Sequence, residues 1–334
     1  MENRAGACAY IVTYYILGWR RVLLEILEKV TFMTICMIAQ AVDSNGEPVL
    51  LIRADKRETA RAMQARYGKK PKMIDIFYDD VDKTAILSDS IGLAAAGSVE
   101  ATDYIRDRVL KPLVPALSKD GLTPKLKSKM VNALIAAGNV IGADKEGMAR
   151  VADMVIGIRK QDGSIEALRL MVMTKGQNAD MMYKSDIEVK LYKLNRPIAV
   201  GLDFEEPNLV LNNVRESWMG HGTKSHSVAA VGAMMEEVMK YELKHNRYRK
   251  YIDDGATYLV VSKDGVRKLN EDDRKVFESL DSAIRSSRLA PREVVNAYER
   301  AGELNNAYIA TSMLRGDDPD AQKKREPKGK STQA

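Results

Sequence analysis

Thr34-Ile35-Cys36-Met37-Ile38-Ala39-Gln40-Ala41-Val42, then Asp43-Ser44-Asn45-Gly46-Glu47-Pro48, then Val49-Leu50-Leu51-Ile52, is the stretch from which the fold follows. Two apolar runs flank an Asn-Gly turn, the pattern of a β-hairpin. The runs are apolar almost throughout instead of at alternate positions, so the hairpin belongs to a sheet covered on both faces. Thr34, a β-branched residue with a hydroxyl, stands at its head.

Working outward, a polar connection containing Arg57 and Lys69-Lys70-Pro71 leads to a predicted strand pair, Met73 to Tyr78 and Thr84 to Leu87, and then to Ile91-Gly92-Leu93-Ala94-Ala95-Ala96-Gly97. Ser98, with Glu100 in the first turn, caps a helix running to about Leu117, which Pro112 and Pro115 kink or end sooner. Thr123-Pro124 opens a second helix with a cap residue and a proline at its first position. Strands resume at Met154 to Arg159 and Ile165 to Met173 around Asp162-Gly163, followed by Ile187 to Tyr192 and Ile198 to Val200. Helices from about Pro207 to Ser217 and from Ser227 to His245 precede a last strand, Tyr258 to Val261. Strands, two helices, strands, two helices, strands is the order of a layered α/β (α+β) sandwich, not of alternating βαβ units. After Leu269 the pattern is helical only, with Asn270 capping Glu271 to about Ser287 and a second helix from Arg292 to about Leu314. The chain thus divides into an N-terminal extension, 1–33, a sandwich domain, 34–269, a helical C-terminal extension, 270–315, and a basic tail, 316–334, expected to be disordered.

Composition narrows the class. With 45% hydrophobic and 29% charged residues this is the make-up of a soluble globular protein. Of the net charge of +6, the last fourteen residues carry +4 (five Lys/Arg against Glu326), which leaves +2 on the other 320. The basic balance is therefore that of a solvated tail and does not point to nucleic acid. Cys8 and Cys36 make neither a disulfide framework nor a CxxC site, in keeping with a reducing, cytoplasmic home. His221, His226 and His245 have no metal-ligand spacing and read as surface or capping residues. No Walker or dinucleotide glycine pattern follows a strand, so neither a cofactor nor a metal is expected. The apolar run Ala7 to Leu17 is shorter than the ~20 residues of a spanning helix. Arg20 and Arg21 interrupt any longer run, and no membrane span is expected. Residues 1–33 read as a propeptide, as a partner-binding or interfacial helix, or as sequence upstream of a start at Met33.

One constellation carries chemistry. Thr34 at the head of the first strand, Asp55 in Arg53-Ala54-Asp55-Lys56-Arg57-Glu58-Thr59, Lys83, and a strand ending Ala96-Gly97-Ser98 together resemble the proteasome β-subunit family of N-terminal-nucleophile (Ntn) hydrolases. Lys83 precedes Gly97 by fourteen residues, the interval the family keeps. Tyr258 to Leu269, with Ser262-Lys263-Asp264-Gly265-Val266, looks like the family's closing strands, so the resemblance covers residues 34 to 269. It implies a four-layer αββα sandwich with an added helical extension. It also implies threonine-type peptidase activity on protein or peptide substrates, and homo-oligomer or ring partners.

The implied roles have physical reasons. A threonine hydroxyl needs a base to act as a nucleophile, and the free amine of an N-terminal Thr34 supplies one. Lys83 would raise the positive potential at Oγ1, and Asp55 would orient that lysine. The Gly97 N–H would receive the developing oxyanion. The chain departs from the family at two places. Gly201-Leu202-Asp203 stands where the family has a serine, and the loop Asn246 to Gly255 stands where it has an Asp and a Ser, with Asp253 and Asp254 the available acids. Met33 replaces the glycine of self-processing precursors, so initiation at Met33 and ordinary methionine removal would expose Thr34, as in stand-alone relatives such as the archaeal ligase connectase. Hydrolysis, ligation through the same acyl-enzyme, and a non-catalytic assembly subunit are the three functions this leaves, with peptide lying as a strand near Gly97.

Overall fold

The computed structural model describes residues 34–64, 72–137, 152–174, 187–201, 205–220, 225–246 and 249–314. The extension 1–33, the tail 316–334, Cys8, His221 and Leu202-Asp203 lie outside the described residues. The elements run β1 (Ile35–Val42), β2 (Pro48–Asp55), β3 (Glu58–Gln64), β4 (Lys72–Tyr78), β5 (Thr84–Ser88), β6 (Ile91–Gly97), α1 (Val99–Tyr104), α2 (Val114–Asp120), α3 (Pro124–Ala136), β7 (Ala152–Arg159), β8 (Ile165–Thr174), β9 (Ile187–Leu194), β10 (Ile198–Gly201), α4 (Glu205–Met219), α5 (Val228–His245), β11 (Ala256–Ser262), β12 (Gly265–Lys268), α6 (Glu271–Ser286) and α7 (Pro291–Leu314). The protein is mixed α/β with antiparallel sheets. One five-stranded sheet has the order β10-β1-β2-β11-β12, and the other β5-β6-β7-β8-β9.

The alternation of side chains along each strand explains why the hairpin is apolar throughout. In β1, Ile35, Met37, Ala39 and Ala41 pack with Met234, Met235 and Val238 of α5. Cys36 and Ile38, on the other face, pack with Ala94, Ala96 and Val155 of the second sheet. The second sheet turns Met154, Ile156 and Leu170 onto Ile105, Leu117 and Met130 of the helical segment around α1 to α3. Gly92 and Gly157 are directly paired between β6 and β7. A Cβ on Gly157 would lie 2.9 Å from Val261 and one on Gly92 2.9 Å from Val266, so this bare pair lets the two sheets close on each other.

The helix predicted from Ser98 is capped by that residue's side chain, which accepts from the Ala101 N–H. It continues past Leu117 to Asp120, but through a π turn at Ile105–Leu110 and a 3-10 turn at Lys111–Leu113. Pro112 lacks an N–H and breaks the regular ladder there. Thr123 likewise caps α3.

The predicted pairing of Met73–Tyr78 with Thr84–Leu87 is corrected. β4 pairs with β3, which had read as polar connection, and the two form a separate two-stranded sheet. β5 pairs with β6. The reason is compositional: Glu58-Thr59-Ala60-Arg61 has no apolar run to mark a strand. The break in sequence character at Leu269 is also not a break in packing. Phe277, Leu280 and Ile284 of α6 are buried in the cluster formed with α5. Among the described residues, no helix is long and apolar enough to cross a membrane.

Candidate active site

Thr34, Asp55 and Lys83 come from three separate segments and meet at one end of the first sheet. β1 and β2 are antiparallel, with Cys36 opposite Ala54, so the head of β1 lies beside the last residue of β2. Asp55 is wholly buried. Its Oδ2 accepts from the Ile35 N–H at 2.6 Å, and its Oδ1 accepts from the Arg57 N–H at 3.0 Å. Lys83 precedes β5 and is held by its own carbonyl, which accepts from the Ala95 N–H at 3.0 Å.

The Lys83 ammonium spends all three of its protons in this cluster. It donates to Thr34 Oγ1 at 2.6 Å, to Asp55 Oδ1 at 2.6 Å, and to the Arg57 carbonyl. The side chain is 9% exposed and that of Asp55 0%, so the charge pair is little screened by water. A hydroxyl that accepts from such an ammonium is polarised toward its oxyanion form. Thr34 itself is 6% exposed.

Gly97 ends β6 with φ +134°, and Ser98 starts the helix from the next residue. It makes no hydrogen bond to the other three residues. Gly201, at the end of β10 and opposite Ile35, packs against the Thr34 backbone. Its φ is +110°, and a Cβ there would fall 1.8 Å from the Thr34 carbonyl oxygen and 3.1 Å from Ala96 Cβ. Only glycine fits between Thr34 and the second sheet at this point.

Several members of the site are not evident from the sequence alone. Asp153 in β7 and Arg169 in β8 form a buried fork-to-fork pair, with Nε and Nη2 donating to the two carboxylate oxygens at 2.9 and 2.6 Å. The Gly201 N–H donates to Asp153 Oδ2 at 3.4 Å, which links this pair to the residue packed on Thr34. Arg169 stands between Leu168 and Leu170, and a cation inside an apolar run is the one sequence sign that an opposite charge lies on a neighbouring strand. Of the two acids in the 246–255 loop, Asp253 joins the cluster: its Oδ1 accepts from the Lys56 N–H at 3.0 Å. Burial and the nearby Asp55 carboxylate push its carboxyl up. Asp254 instead offers its carbonyl to Arg274.

Two further residues bear on the reading. Cys36 is buried one strand position past Ile35, and burial, reinforced by the Asp55 carboxylate, pushes its thiol far above the usual range. A thiol held protonated in this way is a poor nucleophile. His226, read as a surface or capping residue, is 8% exposed, and its Nδ1 lies 3.0 Å from Glu299 Oε1 of α7. Among the described residues, no group of three or more His, Cys, Asp or Glu is placed to hold a metal ion. No family model matches this chain, and no curated protein matches it.

Proposed function

We propose that this protein is a threonine-type peptidase of the proteasome β-subunit kind, an Ntn hydrolase with a four-layer αββα sandwich, acting once the chain begins at Thr34. The observation that carries the proposal is the Lys83 ammonium, shared at 2.6 Å by Thr34 Oγ1 and at 2.6 Å by Asp55 Oδ1. The two sheets, with a helical layer on the outer side of each, support the fold assignment.

Thr34 Oγ1 attacks the carbonyl carbon of a peptide, and its proton passes to the free Thr34 amine. Lys83 stabilises the charge on Oγ1 during attack, and Gly97 at the head of α1 is the donor assigned to the carbonyl oxygen. The C–N bond breaks as the amine returns the proton to the leaving nitrogen. Water then attacks the ester and frees Thr34 and a carboxylic acid. An amine in place of water in this second step would give ligation.

The test is N-terminal sequencing of the native protein together with a peptide-cleavage assay of chains that begin at residue 34. The proposal expects a chain starting at Thr34 and cleavage that is lost in Thr34→Ala and Lys83→Ala. Loss of the acyl donor with a new peptide bond in place of an acid product would assign the ligase outcome. A chain that retains residues 1–33, with no change in any activity on Thr34→Ala, would overturn the catalytic reading in favour of an assembly subunit.

A further inference from the structure

A second site is built at the other end of β1. Gln40 lies six residues past Thr34, about 20 Å away at about 3.3 Å per strand residue. There a cavity of about 320 Å³ opens, bordered by Gln40, by the Leu194-Asn195-Arg196 turn between β9 and β10, and by Arg215 of α4.

The cavity exists because β10 is short. It pairs with β1 only from Ile35 to Ile38. Two positions beyond Gln40, the Val42 N–H donates to the His226 carbonyl. The Gln40 backbone faces the same edge as Val42, since the two are two residues apart, and no strand covers it. Its lining includes the partly exposed apolar residues Ala167, Leu194 and Pro197.

The charge of this cavity is unusual. Arg196 and Arg215 line it, and among the described residues neither makes a hydrogen bond or ion pair. The neighbouring carboxylate, Glu299, is already engaged by the Ser227 N–H at 3.1 Å and by His226 Nδ1 at 3.0 Å. Two guanidinium groups without partners among the described residues, in a lining that also holds apolar side chains, complement one chemistry, an anionic head on an apolar body. Guanidinium groups suit a planar carboxylate. The volume is at the lower end of the range for small-molecule sites, about 300–1,000 Å³.

We propose that this cavity binds a monocarboxylate with a short aliphatic body, its carboxylate held by Arg196 and Arg215 and its body against Ala167, Leu194 and Pro197. The carboxylate can belong to a free acid or to the C-terminus of a peptide ending in an apolar residue. The site shares no side chain with Thr34, Asp55 or Lys83, so its occupancy does not depend on the proposed peptidase chemistry.

Isothermal titration calorimetry on the full chain tests it, with hexanoate, hexanol and inorganic phosphate as probes. Hexanoate binds at one site, and both Arg196→Ala and Arg215→Ala weaken it at least tenfold, while Thr34→Ala binds it unchanged. Arg196 lies on an exposed turn, so its variant keeps the wild-type Tm and remains a valid probe should the Arg215 variant fold poorly. Hexanol or phosphate binding as tightly as hexanoate, no binding of hexanoate, or retention of hexanoate affinity in Arg196→Ala would overturn the proposal. A tripeptide ending in leucine identifies the source: tighter binding of its free acid than of hexanoate assigns a peptide C-terminus, and weaker binding assigns a free acid.

Discussion

Gly201 leaves no room for a side chain against the Thr34 backbone. With φ at +110° and a Cβ position 1.8 Å from the Thr34 carbonyl oxygen, substitution cannot be absorbed by side-chain rotation. Gly201→Ala is predicted to cost roughly 1–3 kcal/mol of stability from the backbone strain alone. It should also abolish peptide cleavage by a chain beginning at Thr34, since the displaced residue is the proposed nucleophile. Denaturant unfolding and the cleavage assay on the same preparation check both outcomes. Cys36 gives the complementary case. Its buried thiol, pushed up by burial, should stay unlabelled by a maleimide in the folded protein and react once urea unfolds the chain, as read by peptide mapping.

At the scale of elements, one ion pair ties the first sheet to its helices. Arg53 of β2 is fully buried, and its Nε donates to Glu236 of α5 at 3.3 Å and to the Tyr258 hydroxyl at 3.1 Å. Burial alone would raise the Glu236 carboxyl, but the Arg53 charge and the hydrogen bond from Tyr258 outweigh it and hold it below the ordinary 4.5. A carboxyl depressed in the folded state contributes stability that is fully present above about pH 4.5 and is lost as pH falls through the lower folded value. Glu236→Gln should therefore flatten the acid side of the stability profile. It should also cost about 3–5 kcal/mol at neutral pH, because it strands a buried guanidinium, whereas replacing Arg53 and Glu236 together by Met and Leu should cost less. Urea melts at a series of pH values measure both.

The cover that α6 gives α5 matters equally. Phe277 is 2% exposed and meets the Tyr258 ring edge-on at 5.2 Å. Phe277→Ala is predicted to cost about 3–5 kcal/mol. A chain ending at Leu269 should fail to give a cooperative melt, since α5 would lose its cover. A cooperative melt of that fragment would mean that the helical segment is an appendage after all.

For the molecule as a whole, what was legible in the sequence was what local chemistry dictates. The Asn45-Gly46 turn, the caps at Ser98, Thr123 and Asn270, and the continuous apolar run of β1 each announce their element, because turn, cap and burial requirements act on neighbouring residues. The cluster of Thr34, Asp55 and Lys83 was legible only through its resemblance to a family, since spacing along the chain does not state which strand ends meet. Asp153, Arg169 and Gly201 were not read as site residues for the same reason: their roles depend on cross-strand register and on a close approach between sheets. β3 was missed because Glu58-Thr59-Ala60-Arg61 carries no apolar run to mark a strand.

The central claim is that Thr34 Oγ1, polarised by Lys83, is the nucleophile. Its most direct test is to treat a chain beginning at Thr34 with a peptide activated ester and map the acylated residue by mass spectrometry. A single acyl group carried on Thr34 Oγ1 and lost in Lys83→Ala is expected. Acylation elsewhere with Thr34 unmodified, or an adduct on Thr34 that forms equally fast without Lys83, would contradict it.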